Sequence, residues 1–298
     1  MKRRDFVQST SLGLAFSPSM QFLQRVFYTT DFQMELIRGN VGYFSERGGT
    51  IGWLIEDEGI VVVDSQFPEQ AGHLIEELQK ESQAGIEYLI NTHHHGDHTS
   101  GNIAFNDLAR NVLAHENSLK NQKASAEANG TQANQLYPDM TYSSQWSTRI
   151  GNELITLDYW GRAHTDGDSI IHFTNANVVH MGDLVFNRRH PYIDKGAGAM
   201  ISNWITILNK TCTHFDDDAI FLFGHAEDDY QIKGDKNDIR AFANYLEKVL
   251  EHVGTLLHSG KTEEEILKET MIPGADEWKG TGIERSLKAA MVEIRDGK

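Results

Sequence analysis

The sequence holds a single cysteine, Cys212, among 298 residues, so no intrachain disulfide can form. One thiol fits a reducing compartment and equally an exported protein that avoids thiols. No run of apolar residues reaches the roughly 18 needed for a membrane-spanning helix. Positive charge is scarce: 27 Lys and Arg stand against 43 Asp and Glu, for a net charge of -16. That charge repels phosphate backbones and argues against a broad nucleic-acid surface. It leaves room for a small anionic substrate, because a bound cation can reverse the local potential. There is no internal repeat of short fixed period and no low-complexity run. What remains is an ordinary globular composition, 39% hydrophobic and 23% charged. At about 150 residues per domain the length allows one or two domains with a sizeable core.

What is present in excess is local. Thr92-His93-His94-His95-Gly96-Asp97-His98 places four metal-capable side chains, His93, His95, Asp97 and His98, within six residues. Packing does not call for such a density of imidazole and carboxylate, whereas metal binding does. In an extended segment residues two apart point the same way, so His93 and His95 can chelate one ion while His94 points elsewhere. Asp97 and His98, beyond Gly96, can turn toward a second position.

The chain around this cluster reads as strands, then helices, twice over. Residues 32–37, 50–56 and 60–64 read as strands, the last two joined by a hairpin turn at Asp57-Glu58-Gly59. Gly39, Gly42 and Gly48-Gly49 read as turn punctuation. Residues 68–82 have helical spacing, with Ala71, Leu74, Ile75 and Leu78 on one side. A short strand at 88–91 leads into the histidine cluster, a short helix is expected at 103–109, and 112–114 is another strand. The stretch 116–147 is polar, helical early and irregular later. Strands follow at 153–159, 169–173, 178–181 and 219–223, with a helix at 202–210. From Asp235 the pattern is helical, Thr262-x-x-Glu265 opens a further helix as a capping box, and 283–294 is the last. The expected fold class is α/β, with two sheets packed together and helices outside.

Four predicted strand ends then offer ligands: the 93–98 cluster, His164, Asp183 and His225. Loops at one edge of a sheet are where sites are built. The quoted motifs, H-x-H-x-D-H, A-H-T-D-G, M-G-D and F-G-H, in that order from about residue 33 to 230, resemble the pattern of the metallo-β-lactamase superfamily. The resemblance implies a four-layer αββα sandwich with two metal ions between the sheet edges. It assigns His93, His95 and His164 to one ion, Asp97, His98 and His225 to the other, and Asp183 as a bridge. The acid at 183 is similar to the glyoxalase II and lactonase branches; the best-known lactamases carry Cys there and a different residue at the position of His98. Ala163 replaces a common Gly. The flavoprotein branch, with Glu at the position of His95, fits less well, and the extra motifs of the nucleic-acid-processing branch are missing.

Ligation by nitrogen and oxygen suits two zinc ions, with manganese or iron also accepted. Water shared by two cations is acidified toward neutral pH and becomes a hydroxide nucleophile. The expected activity is hydrolysis of a small acyl substrate: a lactone, ester, thioester or β-lactam. The resemblance implies Asp97 as the catalytic residue beside that nucleophile, orienting it. The alternatives are a mononuclear iron sulfur dioxygenase on the same fold and a non-catalytic metal-binding protein. The resemblance also implies that Asp64, which ends a strand, supports the histidine loop by hydrogen bonding. Arg188, Arg189 and His190 are candidate substrate contacts, while Asp166 and Asp168 are expected to shape the His164 turn. His172 and His180 read as strand residues, and Cys212 as a buried small hydrophobe. Specificity is expected in loops 117–149 and 186–200; oligomeric state is left open.

The N-terminus, Met1-Lys2-Arg3-Arg4-Asp5-Phe6-Val7, resembles a twin-arginine export signal, followed by a short apolar stretch from Ser9 to Phe16. It implies an exported or periplasmic protein, with a cytoplasmic one as the alternative. Residues 1–25 are set aside as signal or tail, leaving 26–298 as one domain with C-terminal helices.

Overall fold

A computed structural model describes residues 27–28 and 32–297. The segment 1–25, with its paired arginines, lies outside the described residues. The first sheet runs in sequence order through β1 (Phe27–Tyr28), β2 (Gln33–Arg38), β3 (Val41–Ser45), β4 (Ile51–Glu56), β5 (Gly59–Val63), β6 (Ile86–Ile90), β7 (Ala109–His115) and β8 (Met140–Tyr142). It begins as an antiparallel meander through β5 and continues parallel from β5 to β8. The parallel half needs crossovers. α1 (Pro68–Glu81), the short α2 (Gly96–Thr99) with a 3-10 turn at Ser100–Phe105, and α3 (Glu116–Asn129) supply them.

The second sheet contains β9 (Gln145–Ile150), β10 (Glu153–Asp158), β11 (Ile170–Phe173), β12 (Val178–His180), β14 (Ile220–Leu222) and β16 (Lys233–Gly234), in the order β16-β14-β12-β11-β10-β9. A small parallel pair, β13 (Phe186–Asn187) with β15 (His225–Ala226), stands at the site. α4 (Ile201–His214), α5 (Lys236–His258), α6 (Glu263–Ile266) and α7 (Ile283–Asp296) complete the described chain. None of these helices is long and apolar enough to cross a membrane.

Strand periodicity sorts the apolar residues into three cores. On β5, Val61 and Val63 face the second sheet, meeting Leu157, Ile171 and Phe173, while Ile60 and Val62 face Leu74 and Leu78 of α1. On the far side of the second sheet, Val179 and Phe221 meet Trp204 of α4 and Phe242 of α5. Three cores between four layers make the αββα sandwich that the motifs implied. Each fully buried large apolar side chain contributes about 1.5–3 kcal/mol, so the outer helices are held by their apolar stripes.

Three expectations change. Residues 41–45 form a strand, although Gly42 reads as turn punctuation. A Cβ at Gly42 would collide with the Trp53 ring on the neighbouring strand, so this glycine serves close packing. The region before 147 is more regular than its polarity suggests: β8 and β9 are edge strands, and β9 alternates exposed and half-buried residues with little apolar signal. The helix expected at 103–109 is the 3-10 turn ending at Phe105.

Candidate metal centre

The loop after β6 is built by backbone and amide contacts before any ligand is considered. Asn91 and Asn102 exchange side-chain hydrogen bonds at 3.0 and 2.8 Å, pinning both ends of the loop. Ser65 N donates to His98 O at 2.8 Å and its hydroxyl donates to Asn102 Oδ1 at 2.7 Å. Asp64, fully buried and with φ of 66°, turns beneath the loop. Its carboxylate accepts from Thr92 N at 2.7 Å and from the Thr92 hydroxyl at 2.7 Å, and lies 2.7 Å from His98 Nδ1. Asp64 thus supports the histidine loop by direct hydrogen bonding.

These bonds set the imidazole tautomers. The Thr92 proton goes to Asp64, so the Thr92 oxygen accepts from His93 Nδ1 at 3.0 Å. A neutral imidazole carries one N–H, which leaves a lone pair on His93 Nε2. His95 Nε2 lies 3.0 Å from Asp194 Oδ2 and donates to it, which leaves the lone pair on His95 Nδ1. The two lone-pair nitrogens face each other at 3.0 Å, and His164 Nε2 stands 2.9 Å from the same His95 Nδ1. Asp183 Oδ2 closes the group, 3.8 Å from His93 Nε2 and 3.4 Å from His164 Nε2.

A second group lies on the other side of Asp183. Asp183 Oδ1 is 3.0 Å from His98 Nε2 and 3.4 Å from His225 Nε2. Asp97 Oδ2 is 3.1 Å from His225 Nε2 and 3.9 Å from His98 Nε2. Tetrahedral ligands about 2.0–2.1 Å from a zinc ion stand about 3.3 Å apart, in the middle of both sets of separations. Buried His98 Nε2 and Asp183 Oδ1 have no hydrogen-bond partner of acceptable geometry. The donor set therefore fits divalent cations in both groups, with Asp183 offering one oxygen to each.

The electrostatics agree with that fit. Burial pushes His164 down to about 3 and, with His98 nearby, holds His93 well below its ordinary value. Burial would also lower His98, but Asp183, Asp64 and Asp97 outweigh it and hold this imidazole well above the usual range. Against burial, Asp183 and Asp97 likewise lift His225 to about 9. Without a cation, protons supply the positive charge this corner requires; metals and protons compete for such ligands.

Glycines let the chain pass close by. A Cβ at Gly49 would strike the His98 ring, and one at Gly224 would strike Asp183. Around His164, Asp168 accepts from Thr165 N at 2.8 Å and from its hydroxyl at 2.7 Å, while burial raises the Asp168 carboxyl to about 7. Asp166 receives the Asn121 side chain at 2.7 Å. Both aspartates shape the turn, away from the ligand groups. His180 bonds Thr50 O at 3.1 Å and accepts from Gly182 N at 3.1 Å, fixing the turn that carries Asp183.

A cavity of about 440 Å³ opens onto the ligands, lined in part by Asp97, Asp183, His225, Arg189, His190 and Tyr192. Arg188, grouped with Arg189 in the sequence reading, is elsewhere. It pairs with Asp238 at 2.8 Å and Glu277 at 3.2 Å, beside the Trp278 ring. Consecutive residues diverge here, and Arg188 has φ of 58°. Three residues at the site escaped the sequence reading: Asp194, Tyr192 and Arg285. Asp194 is the only carboxylate in loop 186–200. A ligating histidine needs a partner for its second nitrogen, and that requirement was the available signal. Arg285, some 60 residues beyond the last ligand, left none.

Comparison with known proteins places these features in a family. The family model described as "Metallo-beta-lactamase superfamily" matches residues 46–233. The type 2 metallo-beta-lactamase of Bacillus cereus is 23% identical over 194 residues, covering 64% of this chain and 73% of that protein. The 2,4-dinitroanisole O-demethylase subunit alpha of Nocardioides sp. is 29% identical over 133 residues, 44% of this chain and 39% of that one. Among solved structures, the metallo-beta-lactamase from Pontibacter korlensis aligns at a TM-score of 0.61 and 16% identity, covering 72% of this chain and 99% of that one. A stereoselective inverting sec-alkylsulfatase from Pseudomonas sp. aligns at 0.68 and 12% identity, over 86% of this chain and 50% of that one. The family match spans more than half of the sequence, and the chain therefore belongs to the metallo-beta-lactamase superfamily, whose fold it has and whose metal-dependent hydrolase chemistry its His/Asp site supports.

Proposed function

We propose that the protein is a dinuclear metallohydrolase acting on small acyl substrates: lactones, esters, thioesters or β-lactams. The observation that carries this reading is the divided carboxylate of Asp183, with Oδ2 among His93 and His164 and Oδ1 among His98 and His225. His93, His95 and His164 would hold one ion, and Asp97, His98 and His225 the other. Zinc suits these nitrogen and oxygen donors, as do manganese and iron. Bound there, a divalent pair supplies Lewis acidity that eases deprotonation of water and polarises a scissile carbonyl.

The protein's own residues do the positioning. Asp97 both faces the second group and lines the cavity, so its carboxylate is placed to orient an attacking water. Asp64 and Asp194 hold the imidazoles in the tautomers that present lone pairs inward. Tyr192, 43% exposed and 5.2 Å from the His95 ring, gives the cavity an aromatic wall against which an acyl chain can rest. The cavity volume limits the occupant to a small molecule. The paired arginines near the N-terminus support export of the folded protein, and the continuous cores support one domain over 26–298.

The test is metal analysis of purified protein joined to a panel of lactones, esters, thioesters and β-lactams. Two ions per chain and metal-dependent hydrolysis of a panel member are expected. One iron per chain with oxygen uptake on persulfides would replace the hydrolase with a dioxygenase.

A further inference from the structure

The described chain continues well past the family-matched residues 46–233, and its end returns to the cavity. Lys279 bridges the backbone of Arg189. At Gly282, the N-cap of α7, an added Cβ would lie 3.7 Å from the His190 side chain. Tyr245, on α5, joins the two segments: its hydroxyl is 2.8 Å from His190 Nδ1 and donates to Ser286 at 3.2 Å. These contacts fix Arg285 as part of the cavity wall, 5.5 Å over the Tyr192 ring. Arg189 lines the same cavity.

Neither guanidinium makes an ion pair or side-chain hydrogen bond among the described residues. Arg38, Arg110, Arg188 and Arg295 are each committed to a carboxylate. In a chain of net charge -16 carboxylates are plentiful, yet these two cavity arginines pair with none; of the other described arginines without an ion pair, Arg149, Arg162 and Arg240 bond carbonyl or amide oxygens and Arg47 lies over the Phe67 ring, so Arg189 and Arg285 are the pair that shares a cavity. The planar fork of arginine matches a carboxylate with two parallel hydrogen bonds. Tyr192, beneath Arg285, limits where that fork can lie.

We propose that Arg285, with Arg189, forms an anion subsite beside the metal centre, and that the substrate is a small acyl compound carrying a carboxylate away from its scissile bond. The reaction in this statement rests on the hydrolase reading; the binding does not. The subsite draws its first arginine from the C-terminal helix, so α7 contributes directly to substrate choice.

The experiment measures calorimetric binding of monomethyl glutarate and its neutral counterpart dimethyl glutarate to the metal-loaded protein. Wild type is expected to bind the monoanion about 10-fold more tightly, a charge-assisted effect of ordinary size. In Arg189→Gln/Arg285→Gln that ratio falls toward one, and in Arg285→Lys, which keeps a cation, it is partly retained. A wild-type ratio near one, or a ratio that survives the double substitution, overturns the subsite. Selective binding of the anion without hydrolysis of any anionic ester, lactone or thioester would leave the subsite standing and remove the hydrolase reading instead.

Discussion

The two halves of the metal centre meet at one carboxylate and are built on opposite principles. In the His93/His95/His164 half the imidazoles crowd to about 3 Å, and burial holds His93 and His164 below their ordinary values. The Asp97/His98/His225 half is a network of opposite charges in which carboxylates lift the imidazoles. The first half turns imidazole nitrogens and one Asp183 oxygen toward a common point. The second is already neutralised by protons and must release them when a cation enters. The difference teaches where each half acts. Asp97 and His225 line the cavity, as does His95, while His93 and His164 lie behind it at 1% and 0% exposure. His98 of the second half is fully buried too, so on the proposed reading the half with one cavity residue would hold its cation more tightly, and the half with two would meet substrate.

The comparison breaks most directly at the shared residue. Asp183→Ala removes one oxygen from each half, and kcat/KM is expected to fall by on the order of 10³-fold or more, with metal content reduced in both halves. If only one ion were lost and hydrolysis persisted, the carboxylate would not be common to both. A smaller effect is expected from the supporting carboxylates. Asp64→Asn keeps the shape but weakens the acceptor under Thr92 and His98, so metal affinity should drop about 10–100-fold, read by competition with a chelator. Asp194→Asn touches one ligand, His95, besides His94 and the Ala197 backbone, and is half-buried, so its loss should sit near the lower end of that range. Equal losses for the two variants would mean that the hold of Asp64 on both halves, on His98 directly and on His93 through Thr92, adds nothing over the hold of Asp194 on one. The smallest effect lies outside both halves. Arg188→Gln is expected to cost no more than about 1 kcal/mol in stability by denaturant titration, with KM unchanged, because its partners are Asp238 and Glu277.

The ligand half of this site was legible in the sequence because its signal is local. Seven positions at strand ends carry residue types that packing rarely demands, and the two-residue period separates His93 and His95 from His94. In the structure His94 stands outside the four-ligand group, with Nε2 3.6 Å from Asp194, and forms a further metal-capable group with His95 and Asp194. Asp64 was readable only through the family resemblance, which implies a supporting acid at this strand end. The sandwich was legible through alternation on strands such as β5. β3 and β9 were not, since Gly42 is selected by the Trp53 ring across the sheet and β9 is an edge strand whose outer face needs no apolar residues. Arg188 and Arg189 could not be told apart by sequence, because which of two adjacent arginines reaches the cavity depends on one backbone angle and on partners 50 and 89 residues away. Arg285 shows the same limit from the other side, since the contacts that bring α7 to the cavity run through Tyr245 and His190.

The central claim is that one carboxylate joins two cation sites. The most direct measurement is elemental analysis of metal per chain at saturation, for wild type and for Asp97→Ala/His225→Ala. The account predicts two ions in wild type and one, still tightly held, in the variant. One ion per chain in both proteins would contradict it.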